Sequence, residues 1–176
     1  MALYLLEFKP LTPQQEEAQQ ILALLAQQLE EAEGVELIES QVAGDYSIIF
    51  SIIETEDPQL ITGQLEPLQA LAQVAGPDQV RLVGADLEDI KKLKQEANYL
   101  VEWDIPADIS MDQYLARKKA NSPKYAQVPE VSFLRTYVRE DTAKCLCFYD
   151  APDREAVVRA RQAVSTPIDR LFKLAI

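Results

Sequence analysis

An α+β fold in which one βαββαβ unit is built twice is predicted by three features of the chain. The phrase Tyr4-Leu5-Leu6-Glu7-Phe8 returns as Tyr99-Leu100-Val101-Glu102-Trp103. The echo continues at nearly constant offset, with Val35, Val42, Asp45 and Asp57 answered by Val131, Val138, Asp141 and Asp153. Strand-like and helix-like stretches then follow in the same order in both halves. Self-similarity over such a distance is the signature of a duplicated structural unit.

The elements of the first half follow from local chemistry. Tyr4–Phe8 is rich in large apolar residues and stops at Lys9-Pro10, which reads as a strand. Thr12-Pro13-Gln14-Gln15 offers an N-cap threonine, a proline at the first helical position and a capping-box glutamine. The helix they open runs to about Glu33, with Ala18, Ile21, Leu22, Leu25, Leu29 and Ala32 on one stripe and Gly34 as its stop. Val35–Ala43 and Tyr46–Thr55 read as a hairpin across Gly44-Asp45. The second of these strands is apolar on both faces through Ile48, Ile49, Phe50, Ile52 and Ile53. Asp57-Pro58 opens a second helix through about Ala75, kinked at Pro67 and broken by Gly76-Pro77, before a strand at Val80–Val83.

Asp86–Ala97 reads as a connecting helix, with Leu87, Ile90 and Leu93 on one side and Lys91, Lys92 and Lys94 nearby. The second half repeats the pattern. Tyr99–Asp104 is a strand, and Ser110-Met111-Asp112-Gln113 is a capping box whose helix ends at Asn121-Ser122-Pro123. Val131–Arg139 and Thr142–Asp150 form a hairpin across Glu140-Asp141. Pro152–Val164 is a helix and Ile168–Leu174 the last strand, while roughly Asn121–Glu130 is irregular. The expected organisation is residues 1–86 as one unit, 87–97 as a connecting helix and 98–176 as the other. A βαββαβ unit is a ferredoxin-like half-sandwich with helices on one face only. The economical cover for two bare faces in one chain is to pack them sheet to sheet, as an intrachain α/β-barrel pseudo-dimer enclosing a core or cavity.

Composition bounds the function. The chain has 176 residues, is 48% hydrophobic and 26% charged, and carries a net charge of −12. Residues 1–90 hold 17 acids and two bases and carry −15, whereas residues 91–176 hold 12 acids and 15 bases and carry +3. An acidic first half repels phosphate backbones and anionic lipid, which argues against nucleic acid and membrane as partners. No apolar run approaches the ~20 residues of a bilayer span, and no basic region precedes an apolar stretch at the N-terminus as export would require. Cys145 and Cys147 are the only cysteines, two apart on one strand where a disulfide is strained. These features predict a reduced, cytoplasmic chain.

In the second half a set of phrases occurs in order. They are Tyr99-Leu100-Val101-Glu102, Val131 through Tyr137-Val138, Asp141, Cys145 with Tyr149, Ala151-Pro152-Asp153, Val157-Val158-Arg159 and Pro167-Ile168-Asp169-Arg170. Residues 98–176 thereby resemble a family of small nickel-binding, ferredoxin-like proteins otherwise known as a domain of unknown function. Its members pair through their sheets, so the resemblance implies a fused and diverged pair. It also implies nickel held by histidine. The chain contains no histidine, and where a family histidine is expected after Val158-Arg159 it reads Ala160-Arg161. No cofactor is therefore expected.

Two groups of side chains stand out. Cys145, Cys147 and Tyr149 form a row on one strand face, where buried thiols pack as small hydrophobes or serve as ligands. Glu102 lies within the apolar strand Tyr99–Trp103, as Glu7 does in the first half, and a buried carboxylate needs a partner. Arg135, alternating with Phe133 and Tyr137, is the cation expected to supply it. A Glu102–Arg135–Tyr137 cluster lining a cavity between the sheets, with Cys145, Cys147 and Tyr149 near it, is the ligand-binding hypothesis. Arg154, Arg159, Arg161 and Arg170, with Arg117, Lys118 and Lys119, are read first as solvated helix charges and second as a site for an acidic partner or phosphate. There is no glycine-rich phosphate loop and no Ser–His–Asp set.

Three function classes remain. The first is a non-catalytic binding or regulatory module holding a small polar or anionic ligand. The second is a protein–protein adaptor using the acidic and basic units, with homo-oligomer formation open. The third is an enzyme like the barrel-forming monooxygenases, which fold alone does not establish.

Overall fold

The computed structural model describes residues 1–92 and 96–175. Two compact units emerge, Met1–Val80 with the C-terminal Ala175, and Arg81–Leu174.

The first unit contains strand β1 (Ala2–Pro10), helix α1 (Gln15–Glu30), strands β2 (Val35–Val42) and β3 (Ile49–Thr55), the one-turn helices α2 (Gln59–Thr62) and α3 (Glu66–Gln69), and strand β4 (Ala72–Val83). The strand order is β2-β3-β1-β4, and each pair is antiparallel. Ala18, Ile21, Leu25 and Leu29 of α1 pack on Tyr4, Leu6, Phe8, Ile49 and Ile53. Full burial of such a side chain contributes ~1.5–3 kcal/mol, so this stripe dominates the unit's stability.

Three local expectations change. Gln14, not Thr12, is the N-cap of α1, and no side chain caps it. The helix expected to Ala75 is instead two single turns. Residues from Ala72 onward join β4, because their backbone pairs with β1 at Ala72↔Pro10 through Ala75↔Glu7, and a full ladder outweighs helix propensity. Gly76, at φ +98°, sits inside β4 where the register slips between Leu5 and Glu7.

The second unit contains helix α4 (Leu87–Lys92), strand β5 (Tyr99–Asp104), helix α5 (Met111–Asn121) with a 3-10 continuation at Ser122–Gln127, strands β6 (Ser132–Arg139) and β7 (Lys144–Asp150), helix α6 (Arg154–Ala163) and strand β8 (Arg170–Lys173). The order is β6-β7-β5-β8, the first unit's order repeated. The fold is α+β, with two tandem ferredoxin-like units. Of the expected connecting helix, Leu93 and Lys94 lie outside the described residues.

Caps are placed as the sequence requires. Ser110 accepts from the Gln113 amide at 3.2 Å while the Gln113 side chain accepts from the Ser110 amide at 2.9 Å. Asp153 caps α6 by accepting from the Ala156 amide at 2.8 Å. Asn98 fixes the start of β5 against the end of β7, donating to the Ala151 carbonyl at 2.7 Å and accepting its amide at 3.0 Å. Among the described residues no helix is long and apolar enough to cross a membrane.

Candidate functional site

The sheet of the second unit sorts the predicted site residues onto opposite faces. Tyr99, Val101, Trp103, Val138, Cys145, Cys147 and Tyr149 share a core with α5 and α6. Strand alternation puts Leu100, Glu102, Leu146 and Phe148 on the other face. Register adds Arg135 and Tyr137 to that second set, opposite Phe148 and Leu146. The six expected ligand-binding residues therefore divide into Glu102, Arg135 and Tyr137 on one side and Cys145, Cys147 and Tyr149 on the other.

A β-bulge causes one departure from simple alternation. The β6–β7 register slips between Phe133 and Arg135, so Phe133 joins the helical face instead of sharing a side with Arg135 and Tyr137. Phe133 stacks on Tyr125 with ring centroids 5.4 Å apart, and Arg135 lies over the Phe148 ring at 4.7 Å. Glu102 is held by Lys144 at 3.5 Å and by Arg170 of β8. Alternation on β6 pointed to Arg135 and could not reveal a cation arriving from the last strand.

The Glu102 carboxylate is buried, whereas the Arg170 side chain is 42% exposed and also grips Asp104 at 2.5 Å and 3.0 Å. Arg170→Met is expected to cost about 2 kcal/mol in urea unfolding at pH 7, because it leaves a buried carboxylate with one partner. The Arg170 hydrogen bond holds Asp104 below the ordinary carboxylate range. That contribution is present above pH ~4 and lost as the pH falls through the depressed value, so Arg170→Met should also flatten the acid limb of the stability curve.

On the helical face a pocket forms from residues that the sequence left apart. One face of α5 supplies Tyr114, Arg117, Lys118 and Asn121, at the i, i+3, i+4, i+7 spacing of a single helical stripe. α6 supplies Arg161, β5 Trp103, β7 Cys145 and Cys147, and the 3-10 turn Ser122 and Tyr125. The cavity is about 20 Å³. That accommodates one or two waters or a small ion.

Its electrostatics are one-sided. Three cationic side chains line it and no carboxylate does. Arg161 is 2% exposed. It donates to the Tyr149 hydroxyl at 3.0 Å and the Pro167 carbonyl at 2.7 Å. Tyr149 in turn shares a 2.6 Å hydrogen bond with Tyr125. Arg117 donates to the Ser165 carbonyl and lies over Trp103 at 5.3 Å, while Lys118 sits 4.3 Å from the Phe133 ring centre. While the Tyr114 hydroxyl is set against the Cys145 thiol, Arg117 Nε and Arg161 Nε are buried and make no hydrogen bond among the described residues. Such groups are costly unless something else satisfies them.

The thiols are poised unequally. Cys145 Sγ and Cys147 Sγ are 3.9 Å apart, and Thr136 donates to Cys147 Sγ at 3.2 Å. The Cys145 thiol, then Lys118, Arg161 and Thr136, hold Cys147 well below the ordinary thiol range. Cys145 is raised by the same sulfur contact. Burial raises the phenols of Tyr114 and Tyr149, and that of Tyr125 to about 12, so all three are neutral donors at pH 7. Burial opposes the charge on Arg161, but the Cys147 sulfur and Tyr149 outweigh it.

Residues 99–174 match the family described as nickel responsive protein SCO4226-like. A search of curated proteins finds no significant match. Among solved structures, one described as a candidate chlorite dismutase aligns over 100% of this chain and 96% of its own, at TM-score 0.57 and 14% identity. A candidate monooxygenase from Lactobacillus acidophilus aligns over 99% and 94%, at TM-score 0.53 and 10% identity. SCO4226 from Streptomyces coelicolor covers 44% of this chain and 95% of its own, at TM-score 0.39 and 17% identity. At these identities the likeness shows the fold alone.

Proposed function

We propose that the second unit is a non-catalytic binding module whose helical-face pocket holds a small inorganic or one-carbon anion. The observation that carries this reading is the set of buried donors without partners. Arg117 Nε and Arg161 Nε belong to side chains lining a cavity that has three cations and, among the described residues, no carboxylate. An anion of one to four heavy atoms satisfies these donors and offsets charge that one Cys147 thiolate leaves in excess.

Nickel, which the matched family's description implies, does not suit these residues. The chain has no histidine. Among the described residues no group of three His, Cys, Asp or Glu side chains comes together. The two thiols that remain lie beside Lys118 and Arg161, and positive charge there repels a dication. Where the resemblance expects a histidine the chain reads Ala160-Arg161, and a cation there favours an anionic guest over a metal ion.

The test is thermal unfolding in a chloride-free buffer with added nitrate, formate or phosphate at equal ionic strength. At 100 times its dissociation constant a ligand stabilises by ~2.7 kcal/mol, which is readily visible. Nitrate and formate are expected to raise the midpoint and phosphate, too large for the cavity, to do so less. No difference among the three anions would sink the reading.

A further inference from the structure

We propose that Cys147 reacts with hydrogen peroxide admitted to this pocket and that Cys145 then closes a disulfide onto it, so that the pocket is a two-electron redox switch. The inference rests on the preceding reading only in that the pocket must admit a small polar molecule. Four observations carry it. Both cysteines line the cavity, on the same side of β7 and with their sulfurs 3.9 Å apart. Thr136 donates to Cys147 Sγ at 3.2 Å, which orients that sulfur. Arg161 Nε is a buried donor with no hydrogen-bond partner among the described residues, able to hold a peroxide oxygen. The cavity of about 20 Å³ suits a molecule of two oxygen atoms.

The absence of histidine is no obstacle, since Cys147 needs no base if its surroundings already hold it ionised. Lys118, Arg161, Thr136 and the Cys145 thiol all act in that direction. The steps balance. Cys147 thiolate attacks one peroxide oxygen; the S–O bond forms, the O–O bond breaks, and the departing hydroxide takes a proton from solvent and leaves as water. Sulfur loses two electrons and the peroxide gains them. Cys145 then gives up its proton and attacks the Cys147 sulfur. The S–S bond forms, the S–OH bond breaks, and the hydroxide leaves with that proton as a second water.

Residues two apart on a strand have Cα atoms ~6.7 Å apart, at the upper end of the disulfide range. The product therefore strains β7, which lies between β6 and β5. Strained disulfides are the readily reduced, regulatory kind.

The reduced full-length chain is treated with hydrogen peroxide at pH 7 and followed by intact mass and by alkylation of remaining thiols. An ordinary cysteine is only a few per cent thiolate at this pH, so an ionised Cys147 should react ~10–30-fold faster than free cysteine, allowing for its weaker nucleophilicity. The wild-type mass is expected to fall by two hydrogens and both thiols to become unalkylatable. Cys145→Ser should stop at a sulfenic acid, read as a gain of one oxygen in intact mass, and Cys147→Ser should react no faster than free cysteine. Thr136→Val should slow the first step severalfold while far-UV circular dichroism stays native. If Cys147→Ser fails to fold, Cys145→Ser and Thr136→Val carry the test.

A wild-type rate equal to that of free cysteine, or no gain of one oxygen in Cys145→Ser, overturns the proposal. Nitrate separates the two readings. Nitrate stabilisation without accelerated oxidation removes the switch and keeps the anion site, and accelerated oxidation without nitrate stabilisation does the reverse.

Discussion

Arg161→Met is expected to lower the unfolding free energy by about 3–5 kcal/mol and to erase nitrate-dependent stabilisation together. The substitution removes the donors to the buried Tyr149 hydroxyl and to the Pro167 carbonyl from a side chain that is itself 2% exposed. Each hydrogen bond from a charged donor contributes ~1.5–3 kcal/mol, and the Tyr149 hydroxyl left behind is buried away from water. For a chain of this size the midpoint should fall by roughly 6–20 °C, at ~2–4 °C per kcal/mol. Calorimetry with and without nitrate reads both effects. The same change withdraws one of the cations that depress Cys147, so the thiolate absorbance near 240 nm should titrate at higher pH. Arg161→Lys keeps the charge but cannot span Tyr149 and Pro167 with one ammonium. It should recover part of the anion effect and little of the stability. Full retention of nitrate binding in Arg161→Met would remove Arg161 from the site.

What the sequence disclosed follows from which signals are local. The duplication, both β-hairpins and the Ser110 cap are legible in the pattern and are found there, whereas the helix expected from Pro152 begins at Arg154 with Asp153 as its cap. β4 was misread over Ala72–Ala75 because its pairing with β1 is sixty-odd positions away, beyond any local period. The row Cys145, Cys147, Tyr149 was legible from period two. The grouping of Phe133 with Arg135 and Tyr137 was not, because one bulge shifts the phase.

Arg161 was set aside as a solvated helix charge, although the pattern held the contrary signal. It lies in phase with Val157, Ala160 and Val164, the buried stripe of α6. An arginine on an apolar stripe requires partners, and Tyr149 and Pro167 supply them. Tyr114, Arg117, Lys118 and Asn121 share a helical face by the same arithmetic. That this face meets the row of cysteines is a tertiary fact, and no spacing within the chain announces it.

Gly76→Ala is expected to be the most damaging of the simple glycine substitutions. Gly76 holds φ +98°, and a Cβ built there falls well inside van der Waals contact of the Leu5 carbonyl oxygen, with the Asp78 amide nitrogen at 3.1 Å. Left-handed backbone alone costs an L-residue ~1–2 kcal/mol. The overlap adds to this because its partner is backbone, which cannot swing away as a flexible side chain does. Relief requires β4 to separate from β1 beside the slip between Leu5 and Glu7, and Leu5 is 1% exposed in the core. A loss of about 3 kcal/mol or more in urea unfolding, at unchanged m-value, is the expected result. Gly63→Ala is the control. Gly63 has ordinary helical backbone at φ −64°, and the nearest atom to an added Cβ is the Gln59 carbonyl oxygen at 3.4 Å. A methyl group there narrows the unfolded ensemble without strain, so stability should hold or rise by ~0.4–1 kcal/mol. Equal effects at the two positions would show that the backbone at Gly76 relaxes freely, and the β1–β4 junction would then not be the rigid seam on which the first unit depends.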